Sequence, residues 1–320
     1  MSGWLNDEST YDHVATPTAV ATGAAPTYST SIKKFGSSSA KFVRTSDVAG
    51  GYLNIPDSDA FMFTMTWSIN FWIYPIWNNY YMGLFGDWIG GSTDYGWKFY
   101  FHEDDARIRS TWSWGNDAHS WTFSTGVGQY LIPNDTWTHI AISRDASAQR
   151  YRIWKNGVLA TIKDFTSGRG GLERNSSRDF YIGAQDDLVG GNGPKFFFNG
   201  YIDALHIEDG VSNWSGADGT IGTKYFSPEN YTVGPTATAY STLLMNFDET
   251  LYEVAGDLSH DSRIIVIDED TRTVEYDATV SGGGSYSVTV NDTDLKTVTA
   301  VRESDGEGIT YGRVVPSLQV

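Results

Sequence analysis

Cysteine is absent from the 320-residue sequence, which excludes disulfides, thiolate chemistry and cysteine-ligated metal sites. Long apolar runs are also absent. No stretch approaches the ~20 apolar residues that a membrane-spanning helix needs, so we predict no membrane insertion. Residues Met1–Glu8 lack the basic start and the apolar core of a signal peptide. From this beginning we expect the chain to fold in a cytoplasm.

Positive charge is scarce in this chain. Lys and Arg together number 22 against 39 Asp and Glu, which gives a formal net charge of −17 and a pI near 4.6. A polyanion repels phosphate backbones, so we exclude nucleic acids as partners. The same charge favours solubility and attracts cations, including Ca²⁺.

Aromatic residues make up 15% of the chain and glycines number 34, a balance that favours strands joined by tight turns. In the segment Thr66–Tyr74, the residues Trp67, Ile69, Phe71 and Ile73 occupy alternate positions. This period of two predicts a strand that is half-buried against a second layer.

The pair Asn156-Gly157 tolerates positive φ at both central positions of a two-residue turn. It therefore predicts a hairpin between Tyr151–Trp154 and Val158–Ile162. Two aromatic, glycine-rich segments, Trp77–Asp94 and Trp112–Trp121, are predicted to be long loops. We find no convincing amphipathic helix of normal length.

Composition changes around Ser227–Ala239, which is typical of a linker, and again near Gly256–Asp261. Beyond the second change, closely spaced strand patterns indicate a small antiparallel sandwich. These patterns lie at Arg263–Asp268, Val274–Val280, Tyr286–Val290 and Thr297–Arg302. We therefore predict an all-β chain, with a large two-sheet antiparallel sandwich over residues 1–255. A small Ig-like or transthyretin-like β-sandwich, serving as an attachment or spacer domain, follows over residues 256–320.

The order and spacing of short motifs between residues 34 and 207 resemble those of laminin-G-like domains, which are concanavalin-A-like jelly rolls. The motifs are Lys34–Phe42, Tyr52–Ser58, Trp67–Pro75, Asp135–Arg144, Asn156-Gly157, Tyr181–Gly183 and Asn199–Asp203. The resemblance implies a jelly roll for the first domain. Through Gly284–Val288 and Val298–Arg302, the second domain resembles transthyretin-like and carboxypeptidase-regulatory-like modules.

A narrower resemblance links the first domain to versions found in structural proteins of tailed phages. It lies in Gly200–Asp203, Val211–Trp214, Phe226–Pro228 and Leu243–Asp248. In those versions the last of these strands opens the domain, whereas here it comes near the end. We predict that residues 241–249 return to the first-strand position of the same sandwich. A truncated second copy, or a strand donated to a neighbouring subunit, are the alternatives.

Glucanases of the wider superfamily resemble one another in a strand that carries acidic residues at alternate positions. Alternation places the carboxylates on one face for acid–base hydrolysis. Here Glu103-Asp104-Asp105 is consecutive, and Asp268-Glu269-Asp270 surrounds a turn. The histidines lack metalloenzyme spacing, and we interpret His139 and His206 as satisfied residues of strands. We therefore predict no catalytic residues.

No cofactor is predicted and no metal ligands are assigned. Some laminin-G-like and pentraxin-like relatives bind Ca²⁺, so this resemblance leaves Ca²⁺ open. The candidate ligands would be Asp57, Asp59, Asp203 and Asp248, because hard cations need several oxygen atoms that converge from loops. For Asp203, the simpler role is to accept hydrogen bonds from a turn.

Seven aromatic residues between the recognised strands are the candidate ligand-binding residues. They are Trp77, Tyr80, Tyr81, Trp88, Trp112, Trp114 and Trp121. Flat aromatic faces stack on sugars, and neighbouring Asn and Asp side chains bond hydroxyl groups. Alternatively, these side chains pack on one another or contact other proteins. Trp67, Trp137 and Trp154 lie in strands, and we interpret them as structural.

The phage-like motifs imply a non-enzymatic structural or binding protein of a virion, such as a capsid decoration, a fibre or a tail-associated component. It would fold in the host cytoplasm and be exposed on the particle surface. Its partners would be other virion proteins and host-surface glycans, and it would act as a homo-oligomer or in multiple copies. A secreted bacterial carbohydrate-binding, lectin-like module is the alternative, and a glycoside hydrolase fits less well.

Overall fold

The computed structural model describes residue 5 and residues 7–63, 66–77, 81–87, 96–102, 107–113, 121–124, 131–165, 179–186, 193–214, 220–247, 252–258, 262–268, 274–280, 284–290, 296–302, 308–314 and 317–318. These ranges are almost entirely β, as predicted, and contain no α-helix. Single turns of 3-10 helix lie at Asp59–Phe61 and Pro228–Asn230. The same ranges hold no helix long and apolar enough to cross a membrane.

The chain divides into two compact units, one spanning Trp4–Asp248 and the other containing Glu249–Val320. The first unit consists of two antiparallel sheets, with strands numbered along the chain. Sheet A contains β1 (Thr16–Val20), β4 (Arg44–Ser46), β5 (Ala49–Ile55), β7 (Met82–Gly86), β8 (Gly96–Phe101), β9 (Ile108–Ser113), β10 (Trp121–Ser124) and β14 (Phe180–Ile182). Their order is β1-β5-β14-β7-β8-β9-β10, and β4 pairs with β5.

Sheet B faces sheet A across the core. It contains β2 (Thr27–Ser29), β3 (Ser39–Phe42), β6 (Trp67–Pro75), β11 (Thr138–Asp145), β12 (Arg150–Lys155), β13 (Val158–Asp164), β17 (Gly200–Asp209) and β18 (Ser241–Met245). Their order is β13-β12-β11-β6-β17-β3-β2, and β18 pairs with β17. A separate two-stranded sheet joins β15 (Gln185–Asp186) to β16 (Pro194–Lys195). The predicted two-sheet sandwich of jelly-roll type is confirmed.

The alternation in β6 determines which of its side chains enter the core. Trp67, Ile69, Phe71 and Ile73 are completely buried between the sheets, as predicted. Trp72 points the other way and belongs to a separate cluster on the outer face of sheet B. Alternation therefore gives this sheet two apolar faces, of which only one meets sheet A.

The segment predicted as a loop over Trp77–Asp94 contains strand β7, so that part of the prediction is wrong. Every residue of Met82–Gly86 is buried, and the strand has no polar face to produce a period of two. Gly83 and Gly86 are needed because a Cβ at either position would overlap the backbone of a neighbouring strand or loop. A strand buried on both faces and rich in glycine gives a weak sequence signal.

The Asn-Gly hairpin is confirmed between β12 and β13. Asn156 has φ 48° and Gly157 has φ 75°, the positive values that a two-residue hairpin turn requires. The Asn156 side chain also accepts a hydrogen bond from the backbone N–H of His139 (2.8 Å), and the N–H of Asn156 donates to the His139 carbonyl (2.9 Å). The turn thereby fixes the start of β11.

Strand β18 pairs antiparallel with β17 in the same sheet, with Leu244 opposite His206. The N-terminal segment lies along the other side of β18, where the N–H of Glu8 donates to the Leu244 carbonyl (2.8 Å). The carboxylate of Asp7 accepts from the N–H of Leu244 (2.9 Å). The two ends of the jelly roll are therefore joined to each other through β18.

Residues 211–214 and 220–240 cross the outer face of sheet B, and we call them the crossing segment. Ser68 of β6 donates through its hydroxyl to the Val211 carbonyl (3.1 Å). Trp214 stacks on Phe226 (5.3 Å between ring centroids), and both lie against the buried Trp154. The predicted linker around residues 227–239 is therefore packed against the sheet.

The second unit contains two antiparallel sheets. The first has the order β22 (Gly284–Val290), β19 (Tyr252–Leu258), β25 (Ser317–Leu318). The second has the order β21 (Val274–Val280), β20 (Ser262–Asp268), β23 (Lys296–Arg302), β24 (Gly308–Val314). The predicted boundary at residues 255/256 falls inside β19, whereas the contacts divide the chain between Asp248 and Glu249. Full pairing of β19 with β22 explains this earlier division.

Candidate functional site

The structure separates the seven predicted aromatic residues. Tyr80, Trp88 and Trp114 lie outside the described residues. Trp112 and Trp121 are strand residues of β9 and β10, so their predicted loop position is wrong. Their backbones are directly paired, Trp121 with Trp112 and Trp112 with Trp97 of β8. The short stretches Ile108–Ser113 and Trp121–Ser124 are too polar and too brief to be recognised as strands from the sequence.

Trp77 directly follows β6, where the sheet ends. Its backbone is clamped by Asn134, which accepts from the Trp77 N–H and donates to the Trp77 carbonyl, both at 2.6 Å. The indole is half-buried and packs against the main core. Trp77 therefore has a fixed backbone position and a partly exposed ring.

Tyr81 is packed against other aromatic side chains. Its ring stacks on Tyr100 (4.7 Å, 15° between planes) and contacts Phe196 (4.8 Å) and His102 (5.9 Å). Burial, and next the neighbouring Tyr100, raise the pKa of the Tyr81 hydroxyl. These contacts match the alternative in which loop aromatics pack on one another.

The carboxylates of the outer face of sheet B are occupied by protein partners. Glu208 is buried and accepts from Thr238 Oγ1 (2.8 Å) and from the Asn213 amide. Asp203 is completely buried and accepts from the backbone N–H groups of Lys34 (2.8 Å) and Phe35 (3.1 Å). Both carboxylates therefore hold neighbouring segments in place.

The candidate Ca²⁺ ligands do not converge among the described residues, where no group of three or more His, Cys, Asp or Glu is suited to a metal ion. Asp203 accepts from a turn, as its simpler role requires. Asp57 lies beside Asp179, whose carboxylate accepts the Asp57 N–H (3.1 Å). Asp59 begins a turn of 3-10 helix. Asp248 lies outside the described residues.

A cavity of about 480 Å³ lies on the outer face of sheet B, and we call it the Trp72 pocket. Its floor consists of Phe35, Asn70, Trp72, His139 and Ala204. Its wall is the crossing segment from Asn230 to Thr236. The volume is within the 300–1,000 Å³ typical of small-molecule sites.

Aromatic rings set the shape of the floor. Trp72 meets Phe35 edge-on at 5.8 Å and His139 at 5.2 Å between ring centroids. Tyr231 of the wall approaches His139 at 6.2 Å, and 44% of its surface is exposed. The pocket therefore combines fixed rings below with an exposed ring at its edge.

A β-bulge in β17 makes room for the pocket. Asp203 pairs with Trp72 and His206 pairs with Asn70, so Ala204 and Leu205 together oppose one residue of β6. Ala204 has φ 52° and places only a methyl group on the floor. Asp203, just before the bulge, holds the backbone of Phe35 over Trp72.

The described residues that line the pocket are uncharged, and one cation, Lys34, lies beside its floor. Burial, and next the nearby Lys34, lower the pKa of His139 to about 3, so its imidazole is uncharged at neutral pH. Within the described part of the chain, His139 Nδ1 is buried without a hydrogen-bond partner. The Lys34 ammonium lies 4.0 Å from the centroid of the Trp72 indole. Burial lowers the pKa of Lys34, and Asp203 and Glu229 oppose that shift.

The Trp72 pocket was not predicted from the sequence. The alternation of β6 places Trp72 on the face opposite the predicted core residues without indicating a pocket, and the sequence interpretation makes His139 a satisfied strand residue. The structure contradicts the second interpretation, because His139 Nδ1 is unsatisfied among the described residues. The available signal was a Trp among Ser68, Asn70 and Tyr74 on one strand face, which indicates that this face is covered.

With the geometry described, similarity to known proteins can be considered. The sequence profile of the concanavalin A-like lectin/glucanases superfamily matches residues 47–215, which is more than half of the chain. The chain belongs to this superfamily. The match covers the two-sheet sandwich from β5 through β17 and ends inside the crossing segment. No curated protein has a significant sequence match to the chain.

Several solved structures are similar to the chain at low sequence identity and low TM-score. The CBM40 of Ruminococcus gnavus IT-sialidase, bound to α2,3-sialyllactose, is 12% identical, with a TM-score of 0.39 over 51% of this chain and 85% of that one. Domain 4 of the Geobacillus stearothermophilus arabinanase AbnA, in complex with arabinotriose, is 17% identical, with a TM-score of 0.39 over 65% and 93%. The enzymatically active domain of tailspike protein 2 of bacteriophage CBA120 is 10% identical, with a TM-score of 0.42 over 73% and 33%.

Proposed function

We propose that the jelly roll is a non-enzymatic module that binds glycans through the Trp72 pocket. The observation that carries this proposal is the pocket itself. It is of small-molecule size, and it places aromatic rings beside the accessible polar groups of Asn70, Asn230 and Thr232. Rings that support an apolar sugar face, and neutral groups that bond its hydroxyls, are the two requirements of sugar recognition. The superfamily of lectins and glucanases supports the same ligand class.

The absence of catalysis is part of the proposal. Hydrolysis of a glycosidic bond needs two carboxyl groups that face the scissile bond. Glu208 and Asp203 are both buried and hydrogen-bonded by neighbouring segments, and neither lines the Trp72 pocket. We expect no release of reducing sugar from β-glucans incubated with the chain, and clear turnover would overturn the non-enzymatic part.

We further propose that the chain is a surface component of a tailed-phage particle, folded in the host cytoplasm and present in several copies beside other virion proteins. The phage-like motifs Val211–Trp214 and Phe226–Pro228 support this, and both belong to the crossing segment that contacts Trp154. An antibody against the chain is expected to decorate purified particles of the phage whose genome encodes it. If the antibody instead detects the chain in culture medium that contains no phage particles, the result would favour a secreted lectin-like module.

Replacing Tyr231 by alanine is expected to weaken glycan binding by about tenfold, because an aromatic stacking contact contributes about 1 kcal/mol or more. Tyr231 lines the pocket and is 44% exposed, so the ring is available without supporting the fold. Tyr240→Ala is the matched control, since Tyr240 lies in the same segment, is 53% exposed and does not line the pocket. The measurement is binding to a glycan array, followed by calorimetric titration of the best ligand.

Equal losses in the two tyrosine variants would contradict the assignment to the pocket. The Trp77→Ala and Trp114→Ala variants, measured on the same array, test the predicted loop site. A loss there, with Tyr231→Ala unchanged, would move glycan binding to the aromatic loops.

A further inference from the structure

We infer that the Trp72 pocket selects an uncharged N-acetylhexosamine unit, an inference that rests on the proposed glycan-binding function. Its basis is the combination of an uncharged lining, two neutral polar groups on the floor and an apolar surface beside them. The first property disfavours acidic sugars, and the other two together disfavour a plain hexose.

The charge of the site disfavours acidic sugars. Among the described residues that line the pocket, none is Asp, Glu, Lys or Arg, and the His139 imidazole is neutral. Lys34 lies beside the floor, where the nearby carboxylates of Asp203 and Glu229 favour its charged form. The chain as a whole carries a net charge of −17, so the carboxylate of a uronic or sialic acid would enter a repulsive field and find no cation among the described lining residues.

Two neutral polar groups of the floor can bond a ligand. His139 Nδ1 is buried and makes no hydrogen bond within the described ranges. The amide of Asn70 also lines the floor, and it is half-buried and therefore accessible to a ligand. A buried polar group without a partner is unfavourable, so a ligand that supplies both a donor and an acceptor gains from satisfying it. The acetamido group offers one N–H and one C=O, so one of them can bond His139 Nδ1 in either tautomer and the other can bond the Asn70 amide.

The rest of the floor and part of the wall are apolar. Phe35, Trp72 and Ala204 lie below, and Val233 and Pro235 lie at the side. A plain hexose presents hydroxyl groups in every direction and would leave some of them against these surfaces without partners. The acetamido methyl group instead finds an apolar surface beside Asn70. An N-acetylhexosamine thus satisfies the polar and the apolar parts of the pocket together.

The test compares methyl glycosides by calorimetric titration of the full chain. The probes are the methyl glycosides of N-acetylglucosamine, N-acetylgalactosamine, glucose and glucuronic acid. We expect at least one N-acetyl glycoside to bind about tenfold or more tightly than the glucoside, and the glucuronide to bind more weakly than both. In Asn70→Leu, the preference for the N-acetyl glycoside is expected to disappear.

His139→Phe provides a readout that a purely structural role would not give. This variant keeps a ring in place and removes the unpaired Nδ1, so the melting temperature is expected to stay the same or rise. The affinity for the N-acetyl glycoside is expected to fall about tenfold. A chain that prefers the glucoside or the glucuronide would overturn the inference alone. A chain that binds none of the probes, and nothing on the glycan array, would overturn the proposed function with it.

Discussion

Replacing Asp7 by alanine is expected to lower the free energy of unfolding of the jelly roll by about 3–5 kcal/mol, because several buried donors lose the one carboxylate that accepts their hydrogen bonds. The Asp7 side chain is completely buried and lies 2.7 Å from His13 Nδ1. Its carboxylate also accepts from the N–H groups of Ser9 (2.9 Å), His13 (3.0 Å) and Leu244 (2.9 Å). Removing it leaves these donors without their acceptor, and denaturant unfolding of the full chain measures the loss.

The contribution of Asp7 depends on pH in a defined direction. Burial alone would raise the pKa of this carboxyl, but hydrogen bonds from His13, Leu244 and Ser9 together outweigh burial and hold the pKa below its ordinary 3.8. The unfolded chain therefore takes up a proton near pH 3.8 before the folded chain does. The stabilisation is complete above that value and is lost as the pH falls through the folded pKa. The difference between the parent and Asp7→Ala should shrink over the same interval.

Asp164→Ala is the matched control, because it also removes a carboxylate that accepts a hydrogen bond, but one at the surface. Asp164 accepts from Arg150 Nε at 2.8 Å, yet its side chain is 73% exposed. Exposed pairs of this kind contribute about 0–1 kcal/mol, because water screens them and ordering the side chains is costly. A loss in Asp7→Ala no larger than that in Asp164→Ala would mean that Asp7 does not join the N-terminal segment to β18.

The second large effect is expected at Gly157, where alanine should cost about 2–4 kcal/mol from steric overlap and left-handed strain together. Gly157 has φ 75°, and a Cβ there would overlap the carbonyl oxygen of Phe226 in the crossing segment. The ring of Phe226 also packs on Trp154 and Trp214. The hairpin and the crossing segment cannot both keep their positions once the methyl group is present.

Gly210→Ala separates the two causes of that loss. Gly210 has φ 86°, close to that of Gly157, but the nearest atom to its added Cβ would be Tyr240 Cδ1 at 3.4 Å. Only the strain of about 1 kcal/mol should remain. The Gly157 variant should also bind glycans more weakly, because the displaced segment forms the wall of the Trp72 pocket. Equal free energies of unfolding for the two variants would show that the crossing segment can shift to accommodate the methyl group at no cost.

Local patterns are enough to predict strand β6 and the β12–β13 hairpin of sheet B. The alternation of Trp67, Ile69, Phe71 and Ile73 and the Asn156-Gly157 turn each depend on residues within one or two strands, and both are present as predicted. Strand β7 was missed because burial on both faces removes alternation, and its close neighbours demand glycine, a residue that otherwise indicates a turn.

The Trp72 pocket could not be derived from the sequence for a different reason. Its floor comes from Phe35, Trp72, His139 and Ala204, which are distant along the chain, and its wall comes from a segment that looks like a linker. The bulge that opens it depends on a positive φ at Ala204, a residue type that gives no sign of that conformation. Only the pairing register of β17 with β6 brings these features together.

The adjacency of the N-terminal segment and β18 has a consequence for how evolution can use this module. The first residues of the jelly roll lie beside Leu244, and its last strand ends at Met245. The two ends of this domain are therefore close together. A domain whose ends lie close together can be inserted into a surface loop of an unrelated protein without separating the two sides of that loop. Genetic transfer as a cassette, or permutation of its ends around Asp7 and β18, would leave both sheets intact.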